Sequence, residues 1–162
     1  MKPVDLQVQE GRSDVLPGGR AIAVRATGDI DRVTAPKLSA AIDRALTAPG
    51  TAILVDLTGV DFLGSDGLEV LIEAAVRAQR SHRQLRVVAD TRPVLRPLAV
   101  TGLDAVLSVH PSAAAARKAV AADSGFAAPR FGYPAAATGA APVTAPGPGS
   151  GSRHWPRPAR TR

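Results

Sequence analysis

The stretch Val55-Asp-Leu-Thr-Gly-Val-Asp-Phe-Leu-Gly-Ser-Asp-Gly-Leu-Glu-Val-Leu71 decides the fold of this chain, because an apolar strand passes within a few residues into an amphipathic helix. The apolar residues at 53–57 predict a buried strand, which Thr58 and Gly59 are expected to end with a turn. Apolar residues then recur at helical spacing over residues 66–80. A strand followed directly by a helix is typical of an α/β sheet.

Ser65 lies where this helix is predicted to begin. The unpaired backbone N–H groups and the positive dipole end of a helix favour an anion there, so a phosphate on the hydroxyl would be tolerated locally. The same phosphate would add up to about two negative charges to a surface otherwise free to dock. The alternative is structural: Ser65 is only an N-cap, and Asp66 with Glu69 forms a capping box.

The remaining sequence up to residue 122 continues the alternation of strands and helices. The predicted strands are residues 4–8, 21–24, 53–57, 85–89 and 105–109, and the predicted helices are 35–47, 66–80, 94–98 and 111–122. Thr34 is the expected N-cap of the first helix, with Pro36 in its first turn. This order predicts an α/β fold in which helices pack against the sheet.

Composition changes at about residue 122 and divides the chain into a folded domain, residues 1–122, and a tail, residues 123–162. The tail is basic and rich in Ala, Pro and Gly, which bury too little apolar surface to offset the entropy of ordering, so we expect it to be disordered. The formal net charge is +6, of which +4 lies in the tail. The domain is therefore nearly balanced in charge, and we expect no direct nucleic-acid binding.

Several classes of protein lack support in the sequence. The chain has no cysteine, which excludes disulfides and cysteine-based metal sites. It has no apolar run of the roughly 20 residues that cross a membrane and no apolar signal core at its start, so a cytoplasmic location without membrane contact is expected. No Walker loop, dinucleotide fingerprint, Gly-x-Ser-x-Gly elbow or zinc pattern occurs, so we expect no cofactor and no bound metal.

Two groups of charged residues are interpreted as structural. Four carboxylates near strand ends could bind a metal or act as acid and base, but capping of helices and turns is the simpler interpretation: Asp29, Asp31, Asp56 and Asp61. Four arginines are interpreted as a solvated face: Arg77, Arg80, Arg83 and Arg86.

Three segments, in order, resemble those of a known family. Ala26-Thr-Gly-Asp-Ile-Asp31, followed by Thr34-Ala35, is similar to a "TGELD…TA" motif before a first helix. The segment 55–68 resembles the signature "DLSGVxFxDSSGL", and Val100-Thr-Gly-Leu-Asp-Ala-Val-Leu107 resembles "xxGLxxxxxxF". Over residues 4–120 the chain therefore resembles a STAS domain of the anti-sigma factor antagonist type, from the bacterial partner-switching systems.

The resemblance implies a STAS-like mixed β-sheet with helices packed against it, in a regulator without catalytic activity. Such an antagonist binds an anti-sigma factor that has serine kinase activity and thereby frees a sigma factor. The kinase then phosphorylates the serine that corresponds to Ser65, which switches the antagonist off, and a serine phosphatase reverses the change. The resemblance also implies a partner-binding surface formed by Asp29, Asp31, Thr34, Gly64, Ser65, Asp66, Gly67 and Glu69.

Two departures from the signature keep alternatives open. Gly64 stands where the family usually has Asp, and Asp66 stands where it usually has Ser or Thr. Because Asp66 is a permanent charge beside the phosphorylation site, one alternative is a constitutive antagonist that is not phosphorylated. Another is a stand-alone STAS subunit of a lipid-transport ATPase complex. A third is a small enzyme or nucleotide-binding protein that holds phosphate at Ser65.

Overall fold

The computed structural model describes residues 6–17 and 19–123, which form five strands and four helices. The strands are β1 (Gln7–Leu16), β2 (Gly19–Ile30), β3 (Ala52–Leu63), β4 (Gln84–Val88) and β5 (Val109–His110). The helices are α1 (Ala35–Thr47), α2 (Ser65–Arg80), α3 (Arg92–Val100) and α4 (Ala113–Ala122). The predicted tail, from residue 124 onward, lies outside the described residues.

One mixed sheet organises these elements. The strands lie in the order β1-β2-β3-β4-β5, and β1 pairs antiparallel with β2 while the other neighbours pair in parallel. Parallel neighbours need a crossover connection, which α1, α2 and α3 provide in turn. The predicted mixed α/β fold is confirmed.

The two faces of the sheet carry cores of different size, because side chains alternate along each strand. In β3, Ile53, Val55 and Leu57 pack with α1, α2 and α3 in the larger core. The intervening Ala52 and Leu54 lie on the opposite face, in a smaller cluster with residues of α4. The first three helices therefore cover one face, and α4 covers the other.

Strand β3 is longer than predicted, because Thr58 and Gly59 do not end it. The pairing of β3 with β2 shifts register beyond Asp56 and resumes with Gly59 opposite Thr27. A β-carbon on Gly59 would lie 2.5 Å from Cγ2 of Thr27, so the glycine allows the two strands to approach closely at this bulge. The strand then runs on to Leu63, which brings its end next to the end of β2.

The first and last predicted strands also differ from the structure. Strand β1 begins at Gln7 and continues to Leu16, well past the predicted end at residue 8. The segment predicted as a strand at 105–109 forms turns, and pairing with β4 is confined to Val109–His110. Local hydrogen bonds occupy the amides of that segment: the Leu107 N–H, for example, donates to the carbonyl of Leu103 at 2.7 Å.

The arginines interpreted as a solvated face do not form one. Arg83 and Arg86 are buried, with 7% and 8% of their surface exposed. Arg86 forms an ion pair with Asp123, at the end of α4. Arg77 forms an ion pair with Asp43 of α1 at 2.6 Å. The interpretation holds for Arg80, which is exposed.

The Arg83 guanidinium closes the C-terminal end of α1. Its Nη1 donates to the carbonyl oxygens of Ala45, Leu46 and Ala48 at 2.9, 2.7 and 3.0 Å. The last carbonyls of a helix lack intrahelical partners, and the residue four positions after Ala45 is Pro49, which has no N–H to offer. Arg83 lies three residues after the last residue of α2, Arg80, so this contact fixes the end of α1 to the end of α2.

Candidate partner-binding site

Two loops meet at the end of the sheet where β2 and β3 finish. We call residues 29–34 the Asp31 loop and residues 62–67 the Ser65 loop. Asp29 pairs with Phe62 and Ile30 with Leu63 in the sheet, and the Gly64 N–H donates to the carbonyl of Ile30 at 2.8 Å. These contacts bring together the two segments that the sequence analysis proposed as one surface.

The Asp31 loop is held by a compact hydrogen-bond network. The Thr34 hydroxyl donates to the carbonyl of Asp29 at 2.7 Å and accepts from the Asp31 N–H at 2.9 Å. One carboxylate oxygen of Asp31 accepts from the N–H groups of Val33 and Thr34 at 2.8 and 2.9 Å. Asp31 and Thr34 therefore shape the loop, and Thr34 is buried beneath it.

The charge state of Asp31 follows from this network. The hydrogen bond from the Thr34 backbone N–H, the Thr34 hydroxyl 3.0 Å from the same carboxylate oxygen and a smaller contribution from the Val33 N–H hold the pKa of Asp31 below its usual range. Thr34 occupies the predicted N-cap position of α1, but its hydroxyl turns back into the loop and makes no capping bond. The loop thus presents a stable negative charge at the entrance of α1.

Ser65 is the first residue of α2 and is exposed. The N-cap is Gly64, whose carbonyl accepts from Gly67 and Leu68 at 3.1 and 3.2 Å, so the expectation that Ser65 is itself the N-cap is wrong. No side-chain capping bond forms at this end, so the suggested capping box is absent from α2. Within residues 6–17 and 19–123, the N–H groups of Ser65 and Asp66 have no hydrogen-bond acceptor. This geometry suits an anion on the Ser65 side chain.

The other candidates in the Ser65 loop are divided between surface and core. Glu69 is exposed and Asp66 is half-buried, one turn apart on α2. Gly67 is buried, and a β-carbon there would lie 2.6 Å from both Cγ2 of Ile30 and Cδ1 of Leu63. Gly67 therefore lets α2 pack closely against the ends of β2 and β3 and supports the loop from beneath.

The first turns of α2 form a ridge between two grooves. The acidic groove, between α1 and α2, has a volume of about 430 Å³ and carries four carboxylates and one cation: Asp43, Asp66, Glu69, Glu73 and Arg32. The apolar groove, between α2 and the segment after α3, has a volume of about 450 Å³. Ser65 lies at its rim, and its apolar lining comes from Leu68, Ile72 and Leu103.

Phe62 is a surface residue of the Ser65 loop that the sequence analysis did not single out. It is 53% exposed, although it belongs to a strand that is otherwise mostly buried. The sequence does carry a signal that could have drawn attention to Phe62: residues 1–123 contain no other Phe, Tyr or Trp. Val33 of the Asp31 loop is also exposed, at 79%.

Asp56 lies away from these loops, on the α4 face of the sheet. Its carboxylate accepts from the Arg25 side chain at 2.9 Å and from the N–H and hydroxyl of Thr58 at 3.0 and 2.7 Å. Burial favours the neutral acid, but the bonds from Thr58 and Arg25 outweigh it and hold the pKa of Asp56 below its usual range.

In the described part of the chain, no three His, Cys, Asp or Glu side chains are grouped to hold a metal ion. The helices described there are also too short or too polar to cross a membrane.

Comparisons with known proteins agree on one family. The family model described as "Mlab, STAS domain" matches residues 17–109. The anti-sigma-F factor antagonist RsfB of Mycobacterium tuberculosis is 38% identical over 77 residues, 48% of this chain and 62% of RsfB, so the chain spans less than two thirds of that relative. RsfA of the same organism, also an anti-sigma-F factor antagonist, is 34% identical over 102 residues, 61% of this chain and 79% of RsfA. The crystal structure of an anti-sigma factor antagonist from Mycobacterium paratuberculosis superposes with a TM-score of 0.65 at 31% identity, covering 73% of this chain and 96% of that one. The chain therefore belongs to the STAS-domain family, and the relatives it matches are anti-sigma factor antagonists.

Proposed function

We propose that this protein is an anti-sigma factor antagonist whose partner is an anti-sigma factor with serine kinase activity, and that phosphorylation of Ser65 switches it off. The observation that carries the proposal is the exposed Ser65 hydroxyl at the start of α2, beside two backbone N–H groups that have no acceptor among the described residues. The names of the relatives support the antagonist role. The protein acts by binding, without catalysis of its own.

Phosphorylation would act through charge at a docked surface. A phosphate brings about −1.5 to −2 charges at neutral pH. The α2 N-terminus stabilises that charge within the free antagonist, so the modification does not unfold the domain. In the complex, the same charge loses water and adds to the carboxylates of Asp66 and Glu69, one turn apart at the start of α2. The modified antagonist therefore dissociates, and a serine phosphatase restores it.

Asp66 favours a second candidate, a constitutive antagonist. Its carboxylate is the acidic group of the first turn of α2 and already occupies the favourable end of the helix dipole. A kinase that needs a neutral residue after its serine would not modify this chain. In that case Ser65 is a contact residue, and the antagonist is controlled by its abundance.

The test is phosphorylation and binding with purified kinase-fold anti-sigma factors from the source genome. We expect ATP and the cognate kinase to add one phosphate to the full chain, and Ser65→Ala to abolish it. Ser65→Glu should weaken binding at least about 10-fold relative to Ser65→Ala, since like charges at an interface cost several kcal/mol. Ser81→Glu is the matched control, because Ser81 is an exposed serine at the other end of the same helix.

Each outcome separates the candidates. Binding without phosphate transfer, and with equal affinities for the Ala and Glu variants, selects the constitutive antagonist. Binding to the ATPase subunit of a lipid transporter and to no anti-sigma factor would overturn the proposal in favour of a transporter subunit.

A further inference from the structure

Phe62 stands at the Phe position of the signature that residues 55–68 resemble. Residues 1–123 contain a single aromatic side chain, and the buried core is built from Leu, Ile, Val and Ala. Large aromatic side chains contribute most when they are removed from water, either in a core or in an interface. Phe62 instead remains 53% exposed, on the strand that leads into Ser65. Its burial is therefore incomplete in the isolated domain.

The ring of Phe62 lies against the backbone just before Ser65. A β-carbon on Gly64 would lie 3.2 Å from Cε1 of the ring and 3.2 Å from the carbonyl oxygen of Ile30. A side chain at position 64 would thus crowd both the ring and the hydrogen bond that joins the two loops. Gly64 leaves space for the ring, which lies three residues before Ser65 in the chain.

The surroundings of Phe62 define the chemistry of the surface that would cover it. Val33, in the neighbouring Asp31 loop, adds a second exposed apolar side chain. Asp61 is exposed next to Phe62 in the chain, and Asp66 and Glu69 follow near the start of α2. A complementary surface therefore has an apolar pocket for the ring and accepts the present carboxylates beside it, whereas a further negative charge at Ser65 would add to theirs.

We propose that Phe62 is the anchor residue of the partner interface and inserts into an apolar pocket of the anti-sigma factor, beside the carboxylates of Asp61, Asp66 and Glu69. The identity of this partner rests on the function proposed above, whereas the role of the ring does not. Interface energy concentrates in a few aromatic residues that neighbouring contacts seal from water. Ser65 is one of the contacts that would keep water away from the Phe62 ring. A phosphate on Ser65 would therefore bring water and negative charge next to the ring.

The test compares Kd values of full-length variants for a panel of purified proteins. The panel holds the kinase-fold anti-sigma factors of the source genome and the ATPase subunits of its lipid transporters. We expect Phe62→Ala to raise Kd by about 30-fold or more, and Phe62→Leu to have a smaller effect because it keeps an apolar side chain. Thermal melts should show that both variants remain folded, because the side chain is half outside the core.

Val15→Ala is the matched control for loss of an exposed apolar side chain. Val15 is 78% exposed and pairs with Arg20, at the other end of β2 and roughly 30 Å along the strand from the site. Its Kd should change by less than about 3-fold.

The outcomes separate this inference from the proposed function. If the wild type binds an anti-sigma factor and Phe62→Ala binds equally well, the anchor role is wrong and the function stands. If the wild type binds only a transporter subunit and Phe62→Ala loses it, the anchor role stands and the function is wrong. If the wild type binds no member of the panel, both are wrong.

Discussion

Replacing Arg83 with methionine should be among the most destabilising single changes outside the apolar core. Methionine keeps much of the apolar stem but removes the guanidinium that caps α1. The carbonyls of Ala45, Leu46 and Ala48 then lose their donor at the buried junction between α1 and α2. Pro49 cannot replace it, because it has no N–H.

The expected loss follows from the number of bonds. Nη1 carries two hydrogens, so at most two of its three short contacts are well formed at once. A hydrogen bond to a charged group contributes about 1.5–3 kcal/mol, which places the pair at about 3–6 kcal/mol. The lower end of this range applies, because Nε and Nη2 of Arg83 are buried without hydrogen-bond partners in the described part of the chain, and burial lowers the pKa of Arg83. A loss of about 3 kcal/mol corresponds to a fall in Tm of about 9–15 °C for a domain of this size.

The assay is urea unfolding of the full chain, followed by circular dichroism, with thermal melts alongside. Arg80→Met is the matched control, because Arg80 is exposed in the last turn of α2, and it should change the free energy of unfolding by less than about 0.5 kcal/mol. A loss below about 1 kcal/mol for Arg83→Met would show that water or a rearranged backbone caps the carbonyls equally well.

Two further changes test the support of the site and its electrostatics. Gly67→Ala places a methyl group 2.6 Å from both Ile30 and Leu63, and this overpacking should outweigh the helix-propensity gain of about 1 kcal/mol and give a net loss of about 1–2 kcal/mol in urea unfolding. An increase in stability would show that α2 can shift without cost. Asp56→Asn should lower stability at neutral pH by weakening the bond to Arg25. Because the folded-state pKa of Asp56 is depressed, its contribution is complete above about pH 4 and is lost as the pH falls through the folded pKa. Urea unfolding from pH 7 to pH 3 should therefore show the two proteins converging, and a constant difference would contradict this assignment.

Local signals in the sequence were sufficient for the helices and for the position of Ser65. Apolar residues at helical spacing predicted α1 and α2 nearly to their ends, and the change from strand to helix placed Ser65 at the start of α2. The N-cap position of α2 was misplaced by one residue, because Gly64 occupies it and Ser65 does not. Such an error is expected, because a cap depends on backbone angles that several residue types accept.

Contacts between segments that are distant in the chain could not be predicted from the sequence. Gly59 is a turn former by composition, yet it continues β3, because Thr27 of β2 lies against it. Arg83 is a charged residue in a short connection and was interpreted as solvated, yet the end of α1 buries it. Each outcome depends on a partner more than 30 positions away in the chain. No periodicity or propensity within a local window carries that information.

The amino-acid pattern was enough to establish an α/β fold, the helix that begins at Ser65 and a family resemblance over most of the domain, because each depends on residues close together in the chain. The pairing of β2 with β3 was needed to join the Asp31 and Ser65 loops, bury Gly67 and leave Phe62 on the surface. The physical reason is that exposure is a property of the whole packed domain. Phe62 is apolar and lies in a strand, so its local sequence favours burial, and only the packing of the described domain leaves it 53% exposed.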